Sequence, residues 1–137
     1  MPGKEDKVEG KTNRFIVKPL IRDELKYHDI ERAKREIGLG YIFMDTRLVE
    51  EADVHIGLQE VKSVPPDFES FIEPHTHEVS QCYAIIGELT IEVTLEGERH
   101  EVEGPASIFI PPGMEHTFRP VRGNGYVVIV MTSKEYV

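Results

Sequence analysis

The stretch from Leu89 to Leu95 constrains this chain more than any other part of it. Leu89, Ile91, Val93 and Leu95 alternate with Thr90, Glu92 and Thr94. Side chains with that period face opposite sides of a strand, so the segment is β with one apolar face to bury. A lone strand or hairpin cannot bury such a face, so the segment needs a larger sheet. Gly97 turns the chain and Arg99–Val102 returns beside it. Further short strands follow at close intervals. Tyr41–Met44 is an apolar run, and Val54, Ile56 and Leu58 alternate in a segment reaching Val64 before Pro65-Pro66-Asp67. Phe71–His77 and Gln81–Ile86 read as strands, the second closed by Gly87. Ala106–Ile110 lies between Gly104-Pro105 and Pro111-Pro112-Gly113, and Arg122-Gly123-Asn124-Gly125 reads as a turn before Tyr126–Met131. Many short strands with such punctuation predict an all-β sandwich or barrel.

The first part of the chain has a different character. Residues 1–13 are polar and read as a flexible tail. Residues 14–53 read as an arm and one short helix packing on the β domain, which occupies 54–137. Asp29 is placed to cap IERAKREIG, with Ile30, Ala33 and Ile37 at helical spacing and Gly38 as the stop. The segment from Asn13 to Ile21 has no evident place in its own subunit. Phe15–Ile21 reads as an edge strand or as an arm that adds a strand to a neighbour, and a homodimer is expected.

Charge excludes some functions. Residues 1–40 hold ten Lys/Arg against eight Asp/Glu, whereas 41–137 hold six against seventeen. An acidic main domain argues against nucleic acid and against an anionic membrane surface. No apolar run approaches the roughly 20 residues of a membrane span. The N-terminus lacks the apolar region of a signal peptide, and Cys82 is the single cysteine, so a cytoplasmic location is expected.

Three of the six histidines form a pattern. His75 and His77 read PHTH, and residues two apart on a strand face one side. Gln81 follows across a short bend and can face the same space. Far along the chain, the Pro-Pro-Gly turn at 111–113 re-aims the backbone so that His116 enters a strand facing inward. Neutral imidazoles suit Zn, Fe, Mn, Ni or Co, and the Gln81 oxygen can add a harder ligand. His28 and His100 read as surface residues, and His55 as a structural or pocket-lining residue. Glu78 follows His77 directly and should face away, as should Cys82 after Gln81.

Read together, these spacings resemble the cupin superfamily. Its first motif is similar to His75-Thr-His77-Glu-Val-Ser-Gln81 with Gly87 beyond. Its second, Gly then PxGxxH, is similar to Gly104 followed by Pro111-Pro112-Gly113-Met114-Glu115-His116. The resemblance covers about residues 54–131. It implies a double-stranded β-helix, a jelly-roll-like barrel, holding one divalent ion per subunit through His75, His77, Gln81 and His116. Three features depart from the common pattern. Gln81 replaces a Glu, the interval from Gln81 to Gly87 is short, and Arg119 or Pro120 stands where Asn is frequent. The first departure leaves a bound divalent ion with its full charge, which favours anionic ligands.

Alternation from Gln81 and His116 places Tyr83, Ile85 and Phe118 in the cavity. Tyr83 is the candidate acid. Phe118, Ile85, His55 and, at the rim, Arg119 are candidate contacts for a small-molecule ligand. The resemblance implies a metal-dependent enzyme acting on a small organic acid, keto compound or sugar, with oxygenase, isomerase and lyase chemistry all open. A non-catalytic binding or sensing module is the alternative.

Overall fold

The structure, a computed structural model, describes residues 11–22 and 29–133. Most of the expected 1–13 tail, and His28, lie outside the described residues. Among the described residues, seven strands form one hydrogen-bonded sheet that folds on itself. They are β1 (Leu20–Ile21), β2 (Gly40–Met44), β3 (His55–Val61), β4 (Gln81–Leu95), β5 (Glu98–Glu103), β6 (Ala106–Ile110) and β7 (His116–Met131). The order is β1-β2-β3-β7-β4-β5, with β6 also on β4. All pairings are antiparallel. This is the all-β, double-stranded β-helix arrangement expected from the sequence, with one short helix.

Two strands build both layers. β4 and β7 pair along their whole lengths, from Gln81↔Met131 to Leu95↔His116. Breaks expected at Gly87 and at 122–125 are absent, and each glycine segment is instead a bend inside a continuous strand. Gly87 and Gly125 are register partners with φ of +94° and +156°, and Gly123 has φ +89°. A Cβ on Gly123 or Gly125 would lie 2.0 or 2.1 Å from a carbonyl oxygen of β4. Only glycine permits both that approach and those angles. On one side of the bend β4 pairs with β6, and β7 continues the layer to β3, β2 and β1. Beyond it, β4 pairs with β5 and with the first half of β7.

The core lies between the layers. Leu89, Ile91 and Val93 of β4 meet Phe118 and Val127 of β7 and Phe68, Phe71 and Ile72 from the preceding loop. Rings of Phe68, Phe71, Phe118 and Tyr83 follow one another at centroid separations of 6.4, 6.2 and 5.1 Å. The helix α1 (Ile30–Glu36) starts as expected, because the Asp29 carboxylate accepts a hydrogen bond from the Arg32 amide. It buries Ala33 and, just past its end, Ile37 in the same core. The Arg32 guanidinium donates to the Glu69 carbonyl and stacks on Phe68, which ties the helix to the loop leading to His75.

Two expected strands differ, and the arm is placed. Phe71–His77 is not a strand. It is extended chain that meets β7 through a bridge between His75 and His116. The arm, expected to reach a neighbour, pairs Leu20 with Ile42 and Ile21 with Tyr41 of its own β2. The β3 strand ends at Val61, short of the expected Val64.

Candidate metal centre

The three histidines meet because two extended segments cross. His75 and His116 exchange both backbone hydrogen bonds, His75 N to the His116 carbonyl at 3.1 Å and His116 N to the His75 carbonyl at 2.9 Å. The Pro111-Pro112-Gly113 turn is fastened to the first motif, since the Gly113 amide donates to the His77 carbonyl at 2.8 Å. Glu96 secures its far side, its amide donating to the Glu115 carbonyl and its carboxylate accepting from the Glu115 amide. The separation of the motifs in sequence is therefore bridged by backbone hydrogen bonds at the histidines themselves.

Both bridged histidines use one orienting device. His75 Nδ1 donates to the Glu73 carbonyl at 2.6 Å, and His116 Nδ1 donates to the Met114 carbonyl at 2.9 Å. Each acceptor lies two residues before the ring it holds. With the proton fixed on Nδ1, Nε2 carries a lone pair directed inward, as a metal ligand requires. His75 Nε2 and His77 Nε2 stand 3.1 Å apart. One ligand atom from each of His75, His77 and His116 falls within 4.8 Å of the others. Burial is the main reason that His75 is pushed down to about 4, with the neighbouring His116 and His77 acting in the same direction and the Glu73 carbonyl opposing. Burial lowers His116 as well, against the Met114 carbonyl. Neutral imidazoles result, which is the form that binds metals.

Gln81 completes the picture on the opposite layer. It is buried and faces inward at the start of β4, and its Oε1 has no hydrogen-bond partner among the described residues. The same holds for His116 Nε2. Buried polar atoms are seldom left so, because each costs about 1–3 kcal/mol of desolvation. Two acceptors of this kind beside His75 and His77 fit a divalent cation.

Alternation places the other expected residues. Tyr83, Ile85, Phe118 and His55 all face inward and are buried, with the Tyr83 ring edge-on to His116 at 6.2 Å. Arg119 does not join them. It follows the inward Phe118 and so points outward, where its Nε donates to Glu92 at 3.1 Å and its Nη1 to the Phe68 carbonyl at 3.0 Å. It borders a surface groove of about 650 Å³ with Asp67, Glu69 and Arg99. Glu78 is exposed, Cys82 faces outward and His100 lies on the surface beside Glu98.

Sequence reasoning missed a second buried polar group. Arg22, Asp45 and Gln59 are all buried beside His55. Asp45 receives Arg47 Nη2 at 2.6 Å and stands 3.5 Å from His55 Nδ1. Burial lowers the His55 pKa, while Asp45 opposes that change. The signal for Gln59 was present, since His55, Gly57 and Gln59 share one face of a strand. No local pattern marks Arg22.

No protein-family model matches the chain, and no curated protein sequence matches it. Solved structures do resemble it. KdgF from Halomonas sp. superposes with a TM-score of 0.58 at 18% identity, over 85% of this chain and 94% of that one. An RmlC-like cupin from Shewanella frigidimarina gives 0.52 at 13% identity, over 69% and 75% of the two chains. An oxalate decarboxylase from Bacillus subtilis gives 0.57 at 14% identity over 74% of this chain, which spans only 27% of that larger protein. Together with the double-stranded β-helix and the His75, His77 and His116 cluster, these likenesses establish that the chain is a single-domain protein of the cupin fold with a potential metal-binding histidine triad.

Proposed function

We propose that this protein is a divalent-metal-dependent enzyme acting on a small organic acid, keto compound or sugar. One observation carries the reading: three buried imidazoles each bring a ring nitrogen within 4.8 Å of the others, and two of the rings are held in the ligating tautomer by backbone carbonyls. Gln81 is the proposed fourth ligand, through the Oε1 atom that has no hydrogen-bond partner among the described residues. Zn, Fe, Mn, Ni and Co all suit this donor set. A bound ion would supply Lewis-acid polarisation of a ligand oxygen. The chain's own contribution is a dry, shaped enclosure. Phe118 and Ile85 exclude water from one side, and Tyr83 offers a phenol as hydrogen-bond donor or proton source.

The test is metal content in tag-free protein by elemental analysis, followed by turnover assays on small acids and sugars. One ion per chain is expected, and His116→Ala is expected to weaken it by more than about a hundredfold. Full occupancy in that variant would remove His116 from the ligand set. Stoichiometric metal and tight ligand binding without turnover would favour the binding or sensing module.

We also propose that the molecule is a homodimer, through a surface other than the arm. The outer side of the layer formed by β2, β3, β7, β4 and β6 is apolar. Phe109, Cys82, Val130 and Ile56 are register neighbours across it, and Ala84, Val128 and Leu58 form the next row. Phe109 is 64% exposed and Ile86 49%. An apolar sheet face of this kind suits a second copy of itself. Phe109→Glu is expected to yield monomers in sedimentation at micromolar concentration, and a wild-type monomer would overturn the assignment.

A further inference from the structure

The backbone pairing that brings His75 to His116 stops after that one bridge. Antiparallel pairing carried two residues further would set Glu73 against Phe118. The Glu73 carbonyl instead accepts from His75 Nδ1 at 2.6 Å. The Phe118 carbonyl accepts from a side chain, the Ser70 hydroxyl, at 2.9 Å. The segment that carries the first two histidines thus gives up a ladder, one of its carbonyls orients a ring, and other groups must fasten it.

Side chains supply most of those fastenings, and they act on carbonyls of residues 68–72. Arg119 Nη1 donates to Phe68 at 3.0 Å, and Arg32 Nη2 to Glu69 at 2.6 Å. The Asp29 amide donates to Phe71 at 2.6 Å, and the Thr117 hydroxyl to Ile72 at 2.7 Å. Ser70 and Thr117 form one clasp. Ser70 Oγ accepts from the Ile72 amide at 3.1 Å and lies 3.2 Å from Thr117 Oγ1. Since Thr117 gives its proton to the Ile72 carbonyl, the one Ser70 proton goes to Phe118. Two hydroxyls therefore satisfy the N–H and C=O of Ile72 and the C=O of Phe118. The clasp joins Thr117, the residue after His116, to Ile72, three residues before His75.

Apolar packing alone would not set this register. Phe71 and Ile72 are buried in the core, and the Phe71 ring meets Phe118 edge-on at 6.2 Å. Such burial is non-directional and tolerates a slide of the segment along β7. Hydrogen bonds of fixed length and angle do not. A ligand set has to be held within about 0.5 Å, by groups that are themselves locked in place. We infer that Thr117 and Ser70 are positioning residues for the metal centre, their hydroxyls fixing where His75 stands against His116. The inference rests on the metal reading above and adds two residues outside the ligand set.

The test compares Thr117→Val, which keeps the side-chain shape and removes the hydroxyl, with Thr117→Ser, which restores it, and with Ser70→Ala. Co(II) binding to the full, tag-free chain is followed by titration and by visible absorption, whose bands report ligand geometry. Thr117→Val and Ser70→Ala should each bind Co(II) about tenfold or more weakly, with altered bands, and Thr117→Ser should stay within about threefold of wild type. Ile91→Ala is the control for lost stability, and its Co(II) bands should match the wild type. Metal-free protein gives a second reading. Hydrogen exchange of the His75 and His116 amides, which form the bridge, should accelerate in Thr117→Val about tenfold or more beyond any change at Ile91 and Val93 of β4. Wild-type affinity in both Thr117→Val and Ser70→Ala, or a loss that Thr117→Ser does not recover, overturns the inference. Exchange that rises equally in β4 also overturns it, because the hydroxyls then support the fold as a whole. A wild type that takes up no Co(II) fails the metal reading instead, and the exchange result alone then decides whether the clasp holds His75 against His116.

Discussion

The two halves of β4 solve opposite problems. Beyond the bend, Leu89, Ile91 and Val93 point inward and are essentially inaccessible, while Glu92 and Thr94 face the solvent side opposite Glu101 and Arg99 of β5. Before the bend, the inward row at the histidine end reads His55, Met131, Gln81 and Ile110, and the outward row reads Ile56, Val130, Cys82 and Phe109. One half is an ordinary half-buried sheet. The other sets His55, Gln59 and Gln81 among its inward apolar residues and turns apolar ones outward. Burial of polar atoms opposes folding unless something pairs with them, and an apolar exterior opposes solubility unless something covers it. The inverted half is thus where the proposed ion and the proposed second subunit would bind, and the conventional half would supply the stability that supports them.

The largest expected effect tests that division directly. Ile91→Ala removes a wholly buried side chain from the conventional half and should destabilise the metal-free protein by about 2–5 kcal/mol in denaturant unfolding. Metal affinity per folded chain should not change. A loss below about 1 kcal/mol would mean that stability is not concentrated there.

The next effect is acid sensitivity, and it belongs to the inverted half. His75, His116 and His55 all have pKa values lowered by burial, His75 to about 4. Below the ordinary imidazole value of 6.5 the unfolded chain takes up protons that the folded chain refuses. Stability is therefore fully present above about pH 6.5 and falls as pH drops toward 4. His75 contributes up to roughly 1.4 kcal/mol per pH unit in that window, and His55 and His116 act in the same direction. Denaturant midpoints of the metal-free protein between pH 7 and 4.5 would show it. His75→Phe should flatten the curve, and an unchanged curve would place the acid sensitivity elsewhere.

How much of this was legible in the sequence follows the same division. The Leu89–Leu95 alternation revealed its strand and its buried face, because there polarity and burial agree. His75, His77 and His116 were legible through spacing and the Pro-Gly turn, and inward placement of Tyr83, Ile85 and Phe118 followed from counting in twos. Gly87 and Gly123–Gly125 read as turns because a glycine run looks the same locally whether the chain reverses or two paired strands bend together. Only the long-range pairing of Gly87 with Gly125 distinguishes the cases. Arg119, expected at the rim, follows an inward residue and faces outward onto Glu92. Arg22 was invisible because the place of its guanidinium depends on Gly40 and Gln59, brought beside it by separate strands.

The smallest effect is the sharpest test of the inversion, because its sign should differ from that of Ile91→Ala. Gln81→Leu replaces a buried amide, whose Oε1 has no hydrogen-bond partner among the described residues, with an apolar side chain of similar size. In the metal-free protein this should be neutral or stabilising by about 1 kcal/mol, since the desolvation of that oxygen is no longer incurred. Divalent-ion binding should weaken at the same time, by about tenfold or more, which corresponds to roughly 1.4 kcal/mol for a direct ligand. Gln81→Glu should move both quantities the other way. A carboxylate beside three imidazoles tightens a divalent cation, and without the cation it is a buried charge that lowers stability at neutral pH. Unfolding and ion titrations on the three proteins measure all of this. If Gln81→Leu destabilises the metal-free chain as a core substitution would, the amide has a structural partner and the inward row is not built for an ion. If both variants bind the ion as the wild type does, the ligand set is three histidines, and Gln81 instead faces the ligand carried by the ion.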